Sequence, residues 1–403
     1  MQVFYNYINK VSDKAKCDKM DSTFKLTPED KLILYCARTQ VDEVVEDKIK
    51  STVCSVSNWD YVIKMADRHR LKHFLYYHIN QICPENVPDE VMFILKNHFT
   101  LNVQKNLFMF GKLLEILDNF KLEKIESLPY KGPLLALIVY DNLGLREFDD
   151  LDIFVHEEDV PKVRRILTSM DYKPSVNLNL REERKFIQTM RDYIFHNENI
   201  TLEIHWSFPS IFFSLPKSIE LFSWDKCRTI EIHSKQILVS SPEEMLLIIC
   251  IHNAEHRWKR ISLLCDFKEF INANEIDWFE ITEKSEQLGI KRLVGINFYL
   301  ANDLLDLDMP DHIFKELISD KNVKKMSDQI KYDFFSKNVR STHLLEETLI
   351  SYKLRENKVH GVKDVLKGIT SPGILEWNNI KLPVSLFPLY YFLRPFLLLK
   401  RHI

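Results

Sequence analysis

The sequence predicts an α+β protein in which a small α/β core sits between two helical domains. Three observations carry that expectation. Glycine is scarce, 8 in 403 residues, which points to a mainly helical chain. Apolar residues recur at helical spacing over about the first 120 residues and again from residue 241 onward. Between those stretches the pattern changes to short alternating runs bounded by turn residues.

The elements follow in order. Residues 1–25 are polar and Lys-rich and read as an N-terminal extension. A helical domain is expected over 26–122. Thr27-Pro28-Glu29-Asp30 makes a helix start: a cap residue, a proline at the first position and acids in the first turn. "NWDYVIKMADRHRLKHFLYYHI" places Trp59, Val62, Ile63, Met65, Ala66, Leu71, Phe74 and Leu75 at helical spacing. Another helix runs from about Glu90 through "NHFTLNVQKNLFMFGKLLEILDNF". The α/β core is expected over 123–240. "IESLPYKGP" (125–133) reads as a short strand ending in a Lys-Gly-Pro corner, and Pro133 suits the first turn of a helix over "PLLALIVYDN". "LDIFV" is a strand and "EEDVPKVRRILTSMDY" an amphipathic helix. "RDYIFHNENITLEIHWSF" is a hairpin around Asn-Glu-Asn. Residues 241–403 form a second helical domain with an apolar tail.

Composition removes several classes. Net charge is -3, so no global basic field favours long nucleic acid as a partner. Neither G-x-x-x-x-G-K-[ST] nor G-x-G-x-x-G occurs. The 7 cysteines are scattered without a C-x-x-C pair, and "MQVFYNYINKVSDKAKC" lacks the apolar run of a signal peptide. Reduced thiols in a cytoplasmic protein are the expectation. The tail "LPVSLFPLYYFLRPFLLLKRHI" is very apolar, but Pro383, Pro388, Pro395 and Arg394 break it. It reads as a buried C-terminal segment or, alternatively, as a weak interfacial contact with a membrane or partner, followed by Lys400 and Arg401.

The chemistry concentrates in "REFDDLDIFV". Residues two apart on a strand share a face, so Asp150 and Asp152 project together while Asp149 and Leu151 face away. Paired carboxylates resist burial unless a cation sits between them, and oxygen-ligated divalent ions are held in this way. The hairpin repeats the logic, because Glu203 and His205 share a face with Thr201. If the two strands are neighbours, Glu203 becomes a third carboxylate, the layout of a two-metal site. Lys131 and Gly132 stand at a strand-to-helix corner, where free helix amides favour phosphate. Arg146 lies four residues before Asp150 and suits a bidentate phosphate contact. Bland roles compete: a charged edge strand for the Asp pair, a salt-bridge partner for Glu203, a surface lysine for Lys131. His205 reads first as a histidine that orients a strand carboxylate.

"HNAEH" (252–256) spaces two histidines for zinc, but Glu255 is misplaced for H-E-x-x-H and no third ligand is evident. Cys250 and Cys265 read as core residues.

"YKGPLLALIVYDNLGLREFDDLDIFV" followed by "ITLEIHW" resembles an uncharacterised nucleotidyltransferase-like family within the DNA polymerase β superfamily. The matching positions are Lys131, Gly132, Arg146, Asp150, Asp152, Glu203, His205 and Trp206. The likeness extends over about residues 30 to 400 through "WDYVIKMADRHRL", "IHNAEHRWKRISLLCDF" and "LYYFLRP". It implies a small mixed-sheet nucleotidyltransferase core and transfer of a nucleoside monophosphate from an NTP such as ATP to a hydroxyl or phosphate. It implies Mg²⁺ or Mn²⁺ on Asp150, Asp152 and Glu203, which also carry the catalysis, and nucleotide contacts from Lys131, Gly132, Arg146 and His205. It also implies that the segment with Arg257, Trp258, Arg260 and Asp266 packs over the site and offers polar contacts to nucleotide or acceptor. This chain has Lys-Gly where most of the superfamily has Gly-Ser, and Glu where Asp is commoner as third acid. The acceptor is a small molecule, peptide or protein that the sequence does not specify. A phosphotransferase or a non-catalytic nucleotide-binding scaffold are the alternatives.

Overall fold

The computed structural model describes residues 25–198, 200–208, 215–216, 219, 221–336, 350–380 and 382–401. Most of the expected N-terminal extension lies outside them. The chain is α+β, a five-stranded mixed sheet flanked by helices. The strands of that sheet are β1 (Ser127–Pro129), β2 (Asp150–Val155), β3 (Lys173–Pro174), β4 (Asp192–Asn197) and β5 (Ile200–His205). Their order is β1-β2-β5-β4-β3. Only β2 and β5 run parallel, which sets Asp152 opposite Glu203.

The sheet has one apolar face. Leu151, Ile153 and Val155 of β2 pack with Leu202 and Ile204 of β5 and with Tyr193 and Phe195 of β4. The helices Val160–Ser169 and Leu180–Thr189 cover this face with Val163, Leu167 and Phe186. Alternation then sends Asp150, Asp152, Glu203, His205 and Asp192 to the opposite face. Asp149 turns to the N-terminal helices, where Arg70 and Lys105 bind it.

The helix Asp89–Leu122, 34 residues long, joins the two cores. Val91 and Leu95 pack in the helical core, whereas Met109, Phe110, Leu113, Ile116 and Phe120 pack under the sheet. At ~1.5 Å per residue such a helix reaches ~50 Å, enough to serve both. The segment after residue 241 closes the other side with the helices Pro242–Glu255, Ser262–Asn272 and Lys291–Leu305. The chain returns to the back of the sheet at its end. Trp377 meets Phe186 with ring centroids 5.4 Å apart, and Phe387 and Tyr390 join the same cluster.

The core holds a helix and a hairpin, besides the short β3, that the sequence did not announce. The helix Leu180–Thr189 starts with a capping box between Asn179 and Glu182. A second hairpin pairs β6 (Arg228–Ile232) with β7 (Lys235–Val239). Its two-residue turn places His233 and Ser234 at φ 48° and 61°. Such turns usually carry Asn-Gly or Asp-Gly, so the usual marker was missing.

Six cysteines among the described residues are free, and Cys250 and Cys265 are buried as expected. No helix among the described residues is long and apolar enough to cross a membrane. The last helix, Leu389–Arg401, buries Tyr390 and Leu398 but leaves Phe392 and Phe396 71% and 70% exposed. The tail is therefore partly buried and partly an apolar surface.

Candidate active site

The polar face of the sheet centres on Asp152, which is 3% exposed. Tyr130, at the end of β1, donates its hydroxyl to Asp152 Oδ1 at 3.3 Å. Lys131 Nζ lies 3.4 Å from the same oxygen, and His205 Nε2 lies 3.0 Å from it. His205 Nε2 is also 3.5 Å from Glu203 Oε2. Burial works against the Asp152 carboxylate, but Lys131 and His205 together hold it well below the usual carboxylate range. The same contacts act on His205. Burial lowers its affinity for a proton, and hydrogen bonds to Asp152 and Glu203 reverse that, raising it to about 9. Asp150 moves the other way: burial and the neighbouring Asp152 push it up, with Lys131 opposing.

Asp152, Glu203 and His205 each offer a ligand atom, and these lie within 4.8 Å of one another. Two carboxylates suit a divalent ion, and His205 Nε2 bridges them. Asp150 stands two residues earlier on the same face and outside that trio. His252 and His256 lie in ring contact, centroids 4.4 Å apart, within electrostatic reach of Asp152 and Lys131. Burial and Lys131 keep the His252 imidazole neutral.

A model of uncharacterised nucleotidyltransferases matches residues 55–306. The chain belongs to that family. No curated protein and no solved structure matches it. Family membership makes the chain, at the coarse level, a transferase. The matched span of this nucleotidyltransferase contains the whole polar face and the helices packed over it.

The corner of the nucleotidyltransferase core is built by Gly132. It opens the helix Gly132–Tyr140 at φ +53°, and a Cβ there would come 3.1 Å from the Asp150 carbonyl oxygen. Glycine alone adopts this geometry without strain. Arg146 is committed elsewhere. Its Nε lies 3.0 Å and its Nη2 3.0 Å from Asp266 oxygens, and its Nη1 donates to the Gly132 carbonyl at 3.1 Å. Tyr140 adds a bond to Asp266 at 2.8 Å. Arg146 thus ties the corner to the C-terminal helices, with the donors expected for phosphate engaged by protein.

Asp192 completes the face and was not singled out from the sequence. It pairs with His205 across β4 and β5. Burial pushes its carboxyl up, with His205 opposing. The hairpin register was the available marker: with Asn197 opposite Ile200, Asp192 must face His205. Tyr130 had no such marker, because its role depends on how β1 ends beside β2.

Proposed function

We propose that the protein is a divalent-metal-dependent nucleotidyltransferase that moves a nucleoside monophosphate from an NTP to an acceptor hydroxyl or phosphate. The observation that carries this reading is the β2–β5 register, which sets Glu203 directly beside Asp152, with His205 Nε2 reaching both carboxylates and Lys131 pairing with Asp152. Asp150, Asp152 and Glu203 are read as the metal-holding carboxylates. A bound Mg²⁺ or Mn²⁺ supplies Lewis-acid activation and neutralises triphosphate charge.

The chain's own residues do the rest. Glu203 takes the proton of the acceptor hydroxyl. The acceptor oxygen then bonds to the α-phosphorus as the α–β phosphoanhydride breaks and pyrophosphate leaves. Lys131 and the N–H groups of Gly132 and Leu134 at the helix start hold phosphate oxygens. His205 orients Asp152 and Glu203 through its shared Nε2. Arg146 acts through Gly132, holding the corner in place. The partly exposed tail is read as a secondary surface for a membrane or partner, and a cytoplasmic location fits the thiol content.

Asp152→Asn is the direct test. Calorimetry with Mg²⁺ and each NTP should show metal-dependent binding to the wild type and a loss of at least about 100-fold in the variant, since a buried charged ligand is removed. Circular dichroism should be unchanged. Transfer of label from the α- but not the γ-phosphate to a small-molecule extract would separate nucleotidyl from phosphoryl transfer. Metal-dependent transfer by Asp152→Asn at the wild-type rate would sink the proposal.

A further inference from the structure

The last helix, Leu389–Arg401, carries two apolar stripes. Tyr390 lies on the first and seats the helix behind the sheet, against Trp377 and Phe387. Arg394 and Leu398, four and eight residues on, are buried with it. Leu389, Phe392, Leu393 and Phe396 are exposed, and their i, i+3, i+4, i+7 spacing puts them on one other stripe. Val384 and Leu386, just before the helix, are exposed as well. A surface helix normally turns charged residues to water on that side. An apolar stripe this continuous marks a contact surface.

The charges around this surface have one sign. From Lys358 to Ile403 the sequence has seven lysines and arginines but only two acids, Asp364 and Glu376. Both acids are buried and neutralised inside the fold: Asp364 pairs with Arg355 at 2.6 Å, and Glu376 pairs with Arg394. Lys358 and Lys363 are exposed on the helix Lys358–Thr370, which packs against Leu389–Arg401. Lys185 Nζ stands 4.9 Å over the Phe387 ring, and Lys400 and Arg401 follow the apolar stripe in sequence. A second copy of the chain would set base against base here, which repels. A bilayer with anionic headgroups supplies both the opposite sign and an apolar phase.

We infer that the C-terminal segment is an interfacial anchor that holds the protein in the plane of an anionic lipid bilayer. The inference rests on the reading of the tail as a contact surface and narrows its partner to lipid. Phe392 and Phe396 enter the acyl boundary, and the bases meet the headgroups. The helix lies in the surface and does not cross it, since no described helix is long and apolar enough to span a membrane. One short stripe with a few bases binds reversibly. Asp152 and Glu203 stand on the other face of the sheet, so lipid and nucleotide bind independently.

Vesicle flotation of the full chain tests it, with phosphatidylcholine alone and with phosphatidylcholine mixed with phosphatidylglycerol. The wild type should float with the mixed vesicles, and far less with the neutral ones or in high salt. The double variant Phe392→Ser, Phe396→Ser should weaken binding to the mixed vesicles by at least about tenfold, because two inserted rings are lost. Both rings are exposed in the free protein, so this variant should melt like the wild type and keep its Mg²⁺-dependent NTP affinity in calorimetry. Absence of flotation, equal flotation with both lipids, or flotation that survives the double change overturns the anchor. So does a dimer that the double change abolishes in a wild type that ignores vesicles. Vesicle binding without NTP binding overturns the nucleotidyltransferase reading and keeps the anchor, and NTP binding without vesicle binding does the reverse.

Discussion

Asp266 is the single residue on which the corner of the site depends from a distance. It accepts from Arg146 and Tyr140, and all three are largely buried. Burial alone would make Arg146 give up its proton more readily, and Asp266 reverses that. Asp266→Ala should therefore destabilise the fold by ~3–5 kcal/mol in urea titrations, because it strands a buried guanidinium. Asp266→Asn, which keeps acceptors, should cost less. His69 is the second such residue. Burial lowers it to about 3, against the hydrogen bond to Phe334 that favours the charged form. The unfolded chain binds this proton near pH 6.5 and the folded chain only near pH 3. Stability is thus full above pH ~6.5 and falls as pH drops through that window, by up to ~1.4 kcal/mol per unit. His73 is lowered to about 3 as well, and burial also lowers His78, so the slopes add. His69→Gln should shallow the acid slope of stability measured by denaturant melts; an identical slope would refute this account.

At the scale of elements, the strand-to-helix corner couples geometry to chemistry. The helix Gly132–Tyr140 begins against the Asp150 carbonyl, so the first residue of β2 and the first residue of that helix fix each other. Gly132→Ala adds a Cβ at positive φ into a 3.1 Å gap. The conformation alone costs ~1–2 kcal/mol. Melting should report that cost, and calorimetry should show Mg²⁺-dependent NTP affinity falling at least about tenfold as the strand of Asp150 and Asp152 moves. The elements of this region were legible as sequence. "LDIFV", "TLEIHW" and the Pro133 helix fall where alternation and turn residues put them. The hairpin of β6 and β7 was not, because His233 and Ser234 occupy a turn that Asn and Gly normally mark. The helix Leu180–Thr189 carried its marker, the Asn179–Glu182 box, in a run whose polarity masked it.

At the scale of the molecule, the chain's end supports the sheet from behind. Trp377 is 8% exposed and touches Phe186, Phe387 and Tyr390. Trp377→Ala should cost ~3–5 kcal/mol by opening a cavity there. Phe186 lies on the apolar face, so Mg²⁺-dependent nucleotide affinity of the folded variant should stay at the wild-type value. A parallel loss of affinity would mean that the two faces of the sheet are coupled. The long helix Asp89–Leu122 also belongs to this scale, since one continuous element serves both hydrophobic clusters.

The sequence by itself determined which face each strand residue takes. Period-two alternation separates Asp149 and Leu151 from Asp150 and Asp152, and needs no partner to do so. It also determined the Lys-Gly-Pro corner and the helical flanks. Tertiary structure decided what those faces meet. Strand order put Glu203 beside Asp152, hairpin register added Asp192, and packing of the C-terminal helices brought Asp266 to Arg146. The physical reason is range. Alternation and capping act over a few neighbouring residues, whereas a charge chooses its partner only after folding has removed water and brought distant residues within hydrogen-bond reach.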